Sequence, residues 1–211
     1  MRITTKKGNA DKIHIYIDDE YRMTVDEAYW FSLGIDEKSE IDEETLSELE
    51  NSVSLRRAFN KAVDLLSQRE HCRREIITKL VQRGYDKAVA EETADRLSDY
   101  GYLDDERFAS LYAKELKQRK KYGKGRIKQE LMRKGINREI IYCVLEEIEE
   151  SPKEEITEIL KRKYPSFSSD EKIKNRAINA LVRYGWGIRD IKNAMDEFDN
   201  FDEEYYDVGD F

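Results

Sequence analysis

Two histidines, two cysteines and a few short polar clusters are the residues in this chain whose types invite chemistry. His71 stands beside Cys72, the combination that a thiol nucleophile and its base would use. Adjacent residues on a helix diverge, so the two form a dyad in sequence only. His14 falls on an expected strand, and neither histidine has a cysteine or carboxylate at metal-ligand spacing. Cys72 and Cys143 occupy different helix positions; they make no disulfide framework and read as reduced thiols. Tyr122-Gly123-Lys124-Gly125 offers a cationic rim to a phosphate, but it lacks the strand and the Gly-Lys-Ser/Thr ending of a phosphate loop. A turn between helices accounts for it. Asp104-Asp105-Glu106 gathers three acids as a metal site would. The simpler account is that Asp104 or Asp105 caps a helix and the acids complement its dipole. No catalytic, cofactor-binding or metal site is expected, and the chain is not expected to be an enzyme.

What remains is chemistry of binding. The formal net charge of -8 excludes a simple basic nucleic-acid binder. Yet between Lys114 and Lys134 there are ten Lys or Arg against two acids, Glu115 and Glu130, a local +8. The candidate patch is Lys117, Arg119, Lys120, Lys121, Lys124, Arg126, Lys128, Arg133 and Lys134. It faces either solvent alone, an acidic protein surface, or DNA phosphates, single-stranded or duplex. By contrast, Asp199 to Phe211 holds six acids and no base, and reads as a disordered tail.

The elements that carry this patch repeat. Leu80-Val81-Gln82-Arg83-Gly84-Tyr85, Leu131-Met132-Arg133-Lys134-Gly135-Ile136 and Leu181-Val182-Arg183-Tyr184-Gly185-Trp186 are copies of one pattern, with glycines 51 and then 50 residues apart. Ile76, Ile127 and Ala177 lie four residues before the leading leucine. Beyond the glycine, Thr93, Ala94 and Leu97 match Val144, Leu145 and Ile148, and then Ala194, Met195 and Phe198, on one face of a following helix. Upstream, Phe59, Ala62, Val63 and Leu66 correspond to Phe108, Leu111, Tyr112 and Leu116, and to Ile156, Ile159, Leu160 and Tyr164. Each unit is therefore three helices with an apolar stripe on each. The distance from the first stripe to the glycine grows through the series, and that growth is expected in the first turn, where insertion is cheap. Gly84, Gly135 and Gly185 read as helix stops in the left-handed conformation.

The N-terminus differs. Ile13, Ile15 and Ile17 alternate with polar residues, as do Tyr21, Met23 and Val25, which predicts a β-hairpin around Asp18-Asp19-Glu20. A lone hairpin is marginal, so pairing from Arg2 to Lys6 or docking on a helix is required. Asp26 to Leu33 predicts a short helix stopped by Gly34, and Asp42 caps another that carries Leu46, Leu49 and Val53. The acidic stretch from Asp36 to Glu50 reads as a solvated face and linker.

The expected fold is mainly α: three tandem three-helix repeats forming an elongated curved body, with a small β-hairpin extension. The expected boundaries are 1–50 for the extension, 51–104, 105–150 and 151–199 for the repeats, and 200–211 for the tail. Charged residues at 40%, apolar ones at 39% and only two prolines suit helical bundles with thin cores. No run of eighteen apolar residues and no secretory segment occurs, so a cytoplasmic monomer is expected.

Gly101-Tyr102-Leu103-Asp104-Asp105-Glu106-Arg107-Phe108-Ala109, followed by Gly125-Arg126-Ile127-Lys128-Gln129-Glu130-Leu131 and Lys134-Gly135-Ile136, resembles the signature of RecX regulatory proteins. Lys161-Arg162-Lys163-Tyr164-Pro165 and Ile15-Tyr16-Ile17-Asp18-Asp19-Glu20-Tyr21 extend the resemblance over nearly the whole chain. Cys72 departs from it, standing where family members often carry a capping serine, which shifts the expected helix start by a residue or two. The resemblance implies a protein without a catalytic site that binds the RecA recombinase filament on DNA. It implies that the protein modulates, usually by inhibition, ATP hydrolysis, strand exchange and co-protease activity. Two rivals stand beside it. One is a helix-turn-helix repressor, since the second helix, glycine turn and third helix resemble that motif. The other is a general helical adaptor, whose common 34-residue period does not fit.

Overall fold

The computed structural model describes residues 1–35, 40–149 and 151–206. Part of the expected acidic linker, 36–39, and part of the expected tail, 207–211, lie outside the described residues. The chain divides into two compact units. One comprises Met1–Gln68 with Ile76–Tyr100, the other Arg69–Glu75 with Gly101–Phe211.

The first unit opens with β1 (Ile3–Lys7), β2 (Lys12–Ile17) and β3 (Glu20–Asp26), an antiparallel sheet in that order. The expected hairpin is thus widened by a third strand. Its two-residue turn places Asp18 at φ +48° and Asp19 at φ +69°. Both are left-handed, as a type I′ turn requires, and aspartate is among the non-glycine residues that tolerate it. The Asp18 carboxylate accepts the Arg2 amide at 2.7 Å, which ties the turn to the chain start. Ile13, Ile15, Ile17, Met23 and Val25 point to the buried face. Tyr21 does not, because a register shift at Ile15/Tyr16 puts it out of phase.

The sheet face packs with Trp30 of α1 (Glu27–Ser32) and with Leu46, Leu49 and Val53 of α2 (Glu43–Gln68). Asp42 caps α2 by accepting the Thr45 amide at 2.8 Å. No Gly or Pro interrupts residues 43–68, so this helix runs 26 residues without a break. The expected boundary at 50/51 therefore falls inside α2, and the sheet and first repeat share that helix. The first repeat is completed by α3 (Arg73–Val81) and α4 (Lys87–Asp99).

The second unit holds α5 (Asp105–Lys120), α6 (Lys124–Lys134) and α7 (Arg138–Glu147), then α8 (Pro152–Lys163), α9 (Glu171–Arg183) and α10 (Ile188–Tyr206). Phe108, Leu116, Ile127, Leu131, Ile141 and Val144 form one core. Ile156, Leu160, Phe167, Leu181, Trp186 and Met195 form another.

The three glycine turns are alike in detail. Gly84, Gly135 and Gly185 have φ of +90°, +82° and +88°. The amide after each donates back to the leading leucine: Tyr85 to Leu80 at 3.3 Å, Ile136 to Leu131 at 3.2 Å, and Trp186 to Leu181 at 3.2 Å. This six-to-one bond is the Schellman closure of a helix end.

Some expectations were displaced. Leu111, placed on a stripe by spacing, is 50% exposed. On the C-terminal half of α2, Ala58, Ala62 and Leu65 are buried, while Phe59 is only half-buried. The lengthening from first to second repeat lies in α5, which runs on to Lys120, and not in the turn. In the third repeat it lies in the 164–170 turn and in the longer α9. Helix α10 continues to Tyr206, into the segment expected as a tail, since no Gly or Pro stops it before Gly209.

Candidate binding surface

The basic segment runs along α5, through a tight turn and into α6. Lys121 ends α5 at φ +56°, and its amide donates to the Lys117 carbonyl at 3.1 Å. Gly123 then donates its amide to the Tyr184 carbonyl at 2.9 Å, and the Trp186 indole donates to the Lys121 carbonyl at 3.3 Å. A Cβ on Gly123 would sit 2.8 Å from the Gly185 carbonyl oxygen, and one on Gly125 2.9 Å from the same atom. The glycines of the 122–125 stretch are thus required by backbone meeting backbone between the second and third repeats. No phosphate is needed to explain them.

The junction before it has the same form. Shifting by 51 residues carries Cys72 onto Gly123 and Arg74 onto Gly125. The Lys134–Gly135 turn lies on those first residues. The Cys72 thiol donates to the Lys134 carbonyl at 3.3 Å, and a Cβ on Gly135 would press on the Arg74 side chain. Gly84, one repeat earlier, has nothing within 4 Å of where its Cβ would be. So two of the three turns clamp the start of the preceding repeat's second helix, and the first turn does not.

Ion pairs line the earlier junction. Glu75 accepts from His71 Nδ1 at 2.8 Å and from Arg69 at 3.1 Å, and it also pairs with Lys134. Burial works to raise the Glu75 pKa, but the bonds from Lys134, His71 and Arg69 prevail and hold it at about 2. Burial acts to lower the Lys134 pKa and is outweighed by Glu75, so that ammonium stays charged. The expectation that His71 lacked a carboxylate partner is thereby corrected; Glu75, one helical turn on, supplies it. No dyad forms with Cys72, whose thiol is pushed up by burial. The Asp104–Asp105 pair divides its labour. Asp104 accepts the Arg107 amide at 2.9 Å and caps α5. Asp105 reaches across to accept the Arg73 amide at 2.8 Å, which satisfies a free amide at the start of α3. Among the described residues, no group of three His, Cys, Asp or Glu could hold a metal ion.

Folding pairs much of the patch with acids distant in sequence. Lys117 meets Glu155 at 2.8 Å and lies 5.1 Å from the Trp186 ring centre; Lys121 meets Glu158 at 3.1 Å. Arg126 pairs with Glu130 at 2.7 Å and Arg119 with Glu115 at 2.9 Å, while Arg133 lies 3.5 Å from Glu130. Lys134 is held by Glu75. Lys124 is half-buried at the start of α6. Lys120 and Lys128 are exposed and make no ion pair among the described residues. The outward part of the patch is therefore Arg119, Lys120, Lys128 and Arg133, while Lys117, Lys121 and Lys134 pair across repeats and Arg126 pairs within α6. Sequence reasoning missed Glu75, Glu155 and Glu158. The only available signal was the three-residue spacing of Glu155 and Glu158, which puts them on one face of α8.

Comparison with known proteins gives a consistent result. Residues 58–97 match the family model of the first three-helix domain of RecX, and residues 104–145 that of the second. The Regulatory protein RecX of Caldanaerobacter subterraneus is 31% identical over 192 residues, covering 90% of this chain and 95% of the relative. That of Bacillus subtilis is 29% identical, covering 96% of this chain and 78% of the relative. A crystal structure of regulatory protein RecX superposes with a TM-score of 0.70 at 20% identity, covering 92% of this chain and 97% of the other. The crystal structure of RecX from Lactobacillus salivarius gives 0.60 at 21% identity, covering 69% and 97%.

Proposed function

Because the chain belongs to the RecX family of regulatory proteins, we propose that it binds the RecA recombinase filament on DNA and modulates, in the usual case by inhibition, its ATPase, strand-exchange and co-protease activities. The observation that carries this reading is the thrice-built turn, which gives one chain three similar surfaces for a partner that itself repeats. Contacts that are weak singly add through effective concentration when linked in one chain. Lys120, Lys128, Arg119 and Arg133 are the exposed cations that meet acidic filament surface or DNA phosphate in this reading. The chain acts as a cytoplasmic monomer and needs no cofactor.

The repressor reading is weakened by the third helix of the second repeat. The exposed face of α7 carries Glu139, Glu146 and Glu147 against Arg138, a sign that phosphates repel. Binding to labelled single-stranded and duplex DNA, with and without recombinase, separates the two. Binding that needs the filament is expected. Tight sequence-specific binding to bare duplex overturns the proposal.

A further inference from the structure

In each repeat the leading leucine of the glycine turn is fully buried, and the residue after it is not. Val81, Met132 and Val182 are 43%, 46% and 42% exposed. They stand three residues before Gly84, Gly135 and Gly185. Among the described residues this is the single register position at which all three repeats expose a large apolar side chain. A lone exposed valine needs no explanation. Three at one register, in a chain with 40% charged residues, do.

Closing the turn gives these side chains no task. Closure of the turn uses backbone atoms, since Gly84, Gly135 and Gly185 donate to the carbonyls of Val81, Met132 and Val182 at 2.9–3.0 Å. The apolar contact that accompanies such a turn belongs to the leucine and the residue after the glycine. Each exposed apolar residue is also followed closely by an arginine: Arg83, Arg133 and Arg183. Arg83 bonds only the Lys79 carbonyl, Arg133 has a loose pairing with Glu130, and Arg183 makes no ion pair among the described residues. All three are exposed.

We propose that Val81/Arg83, Met132/Arg133 and Val182/Arg183 are three copies of one protein-docking element, each seating its apolar side chain in a pocket beside an acidic group on successive identical subunits of a polymer. Copies on one chain call for copies on the partner, and arginine beside an apolar knob calls for a carboxylate beside an apolar pocket. The inference rests on the filament reading above and gives it its contact residues.

The test measures binding of the full chain to recombinase filaments assembled on single-stranded DNA, by anisotropy of a label on the chain. Val81→Asp, Met132→Asp and Val182→Asp are compared singly and together. A second triple set, all to Ser, brings no charge onto the helices. A third, Val81→Ile, Met132→Leu and Val182→Ile, keeps the sites apolar. Each single Asp is expected to weaken binding about fivefold, and either triple polar set at least about fiftyfold. The apolar set stays within about twofold of the unaltered chain. Polar triple variants that keep the thermal melt and bind as the unaltered chain does overturn this inference alone. Failure of the unaltered chain to bind filaments overturns the filament reading and this inference with it.

Discussion

Replacing the three turn glycines by alanine separates what each turn does. At Gly84 an alanine meets open space, so its cost is backbone strain alone. With φ at +90° that is about 1 kcal/mol. At Gly135 the same strain applies, and the new Cβ presses on the Arg74 side chain, whose flexible end can swing aside. The total is about 1.5–2.5 kcal/mol. At Gly185 the Cβ would run into the Arg126 amide nitrogen and lie 2.6 Å from its Cβ. Backbone must move, which adds about 2–3 kcal/mol and gives about 3–4 in all. Since domains are stable by about 5–15 kcal/mol, the last change is severe. Urea unfolding followed by circular dichroism ranks the variants, and hydrogen exchange assigns each loss to the helices whose amides lose protection. The expected order is Gly185 worst, then Gly135, then Gly84. Equal losses at Gly84 and Gly185 would refute the idea that two of these turns clamp a preceding repeat.

Other expectations follow from single contacts. The Glu75 pKa of about 2 lies below the 4.5 of the unfolded chain. Its stabilisation is thus fully present above about pH 5 and is lost as pH falls toward 2. At most about 3 kcal/mol is involved. Glu75→Gln should flatten that part of the acid-unfolding profile and leave Lys134 without its anion, costing about 2 kcal/mol at pH 7. Thr93 is fully buried with its hydroxyl unpartnered, so Thr93→Val is expected to raise the melting midpoint, by about 1 kcal/mol of added stability. Lys120→Glu with Lys128→Glu should leave the melt unchanged and weaken filament binding most at low salt. Lys121→Glu, by repelling Glu158, should lower the melt as well.

The repeat was legible because its signal is local. A buried leucine, a glycine and an apolar residue at fixed offsets specify a helix end wherever they occur, and the three turns close with the same hydrogen bond. The sheet was legible in outline. Alternation marked Ile13–Ile17 and Met23–Val25, and the marginal stability of a lone hairpin called for pairing from Arg2 to Lys6, which β1 supplies at Ile3–Lys7. The expected boundary at residues 50/51 cuts through the 26-residue α2. In fact Leu46, Leu49 and Val53 dock the sheet on the same helix that carries Ala58 and Ala62. The basic patch was counted along the chain, where Lys114–Lys134 is strongly positive. Glu75, Glu155 and Glu158 arrive only on folding. Likewise the glycines at 123 and 125 invited a ligand because the backbone they approach lies some sixty residues away.

The central claim is that this chain restrains a recombinase filament from outside. Its most direct test is steady-state ATP hydrolysis by the cognate recombinase on single-stranded DNA while this protein is titrated in. The account predicts a rate that falls with added protein and saturates below one chain per recombinase subunit, because each chain engages several. A rate unchanged at an excess of the chain over recombinase, at low salt, contradicts it.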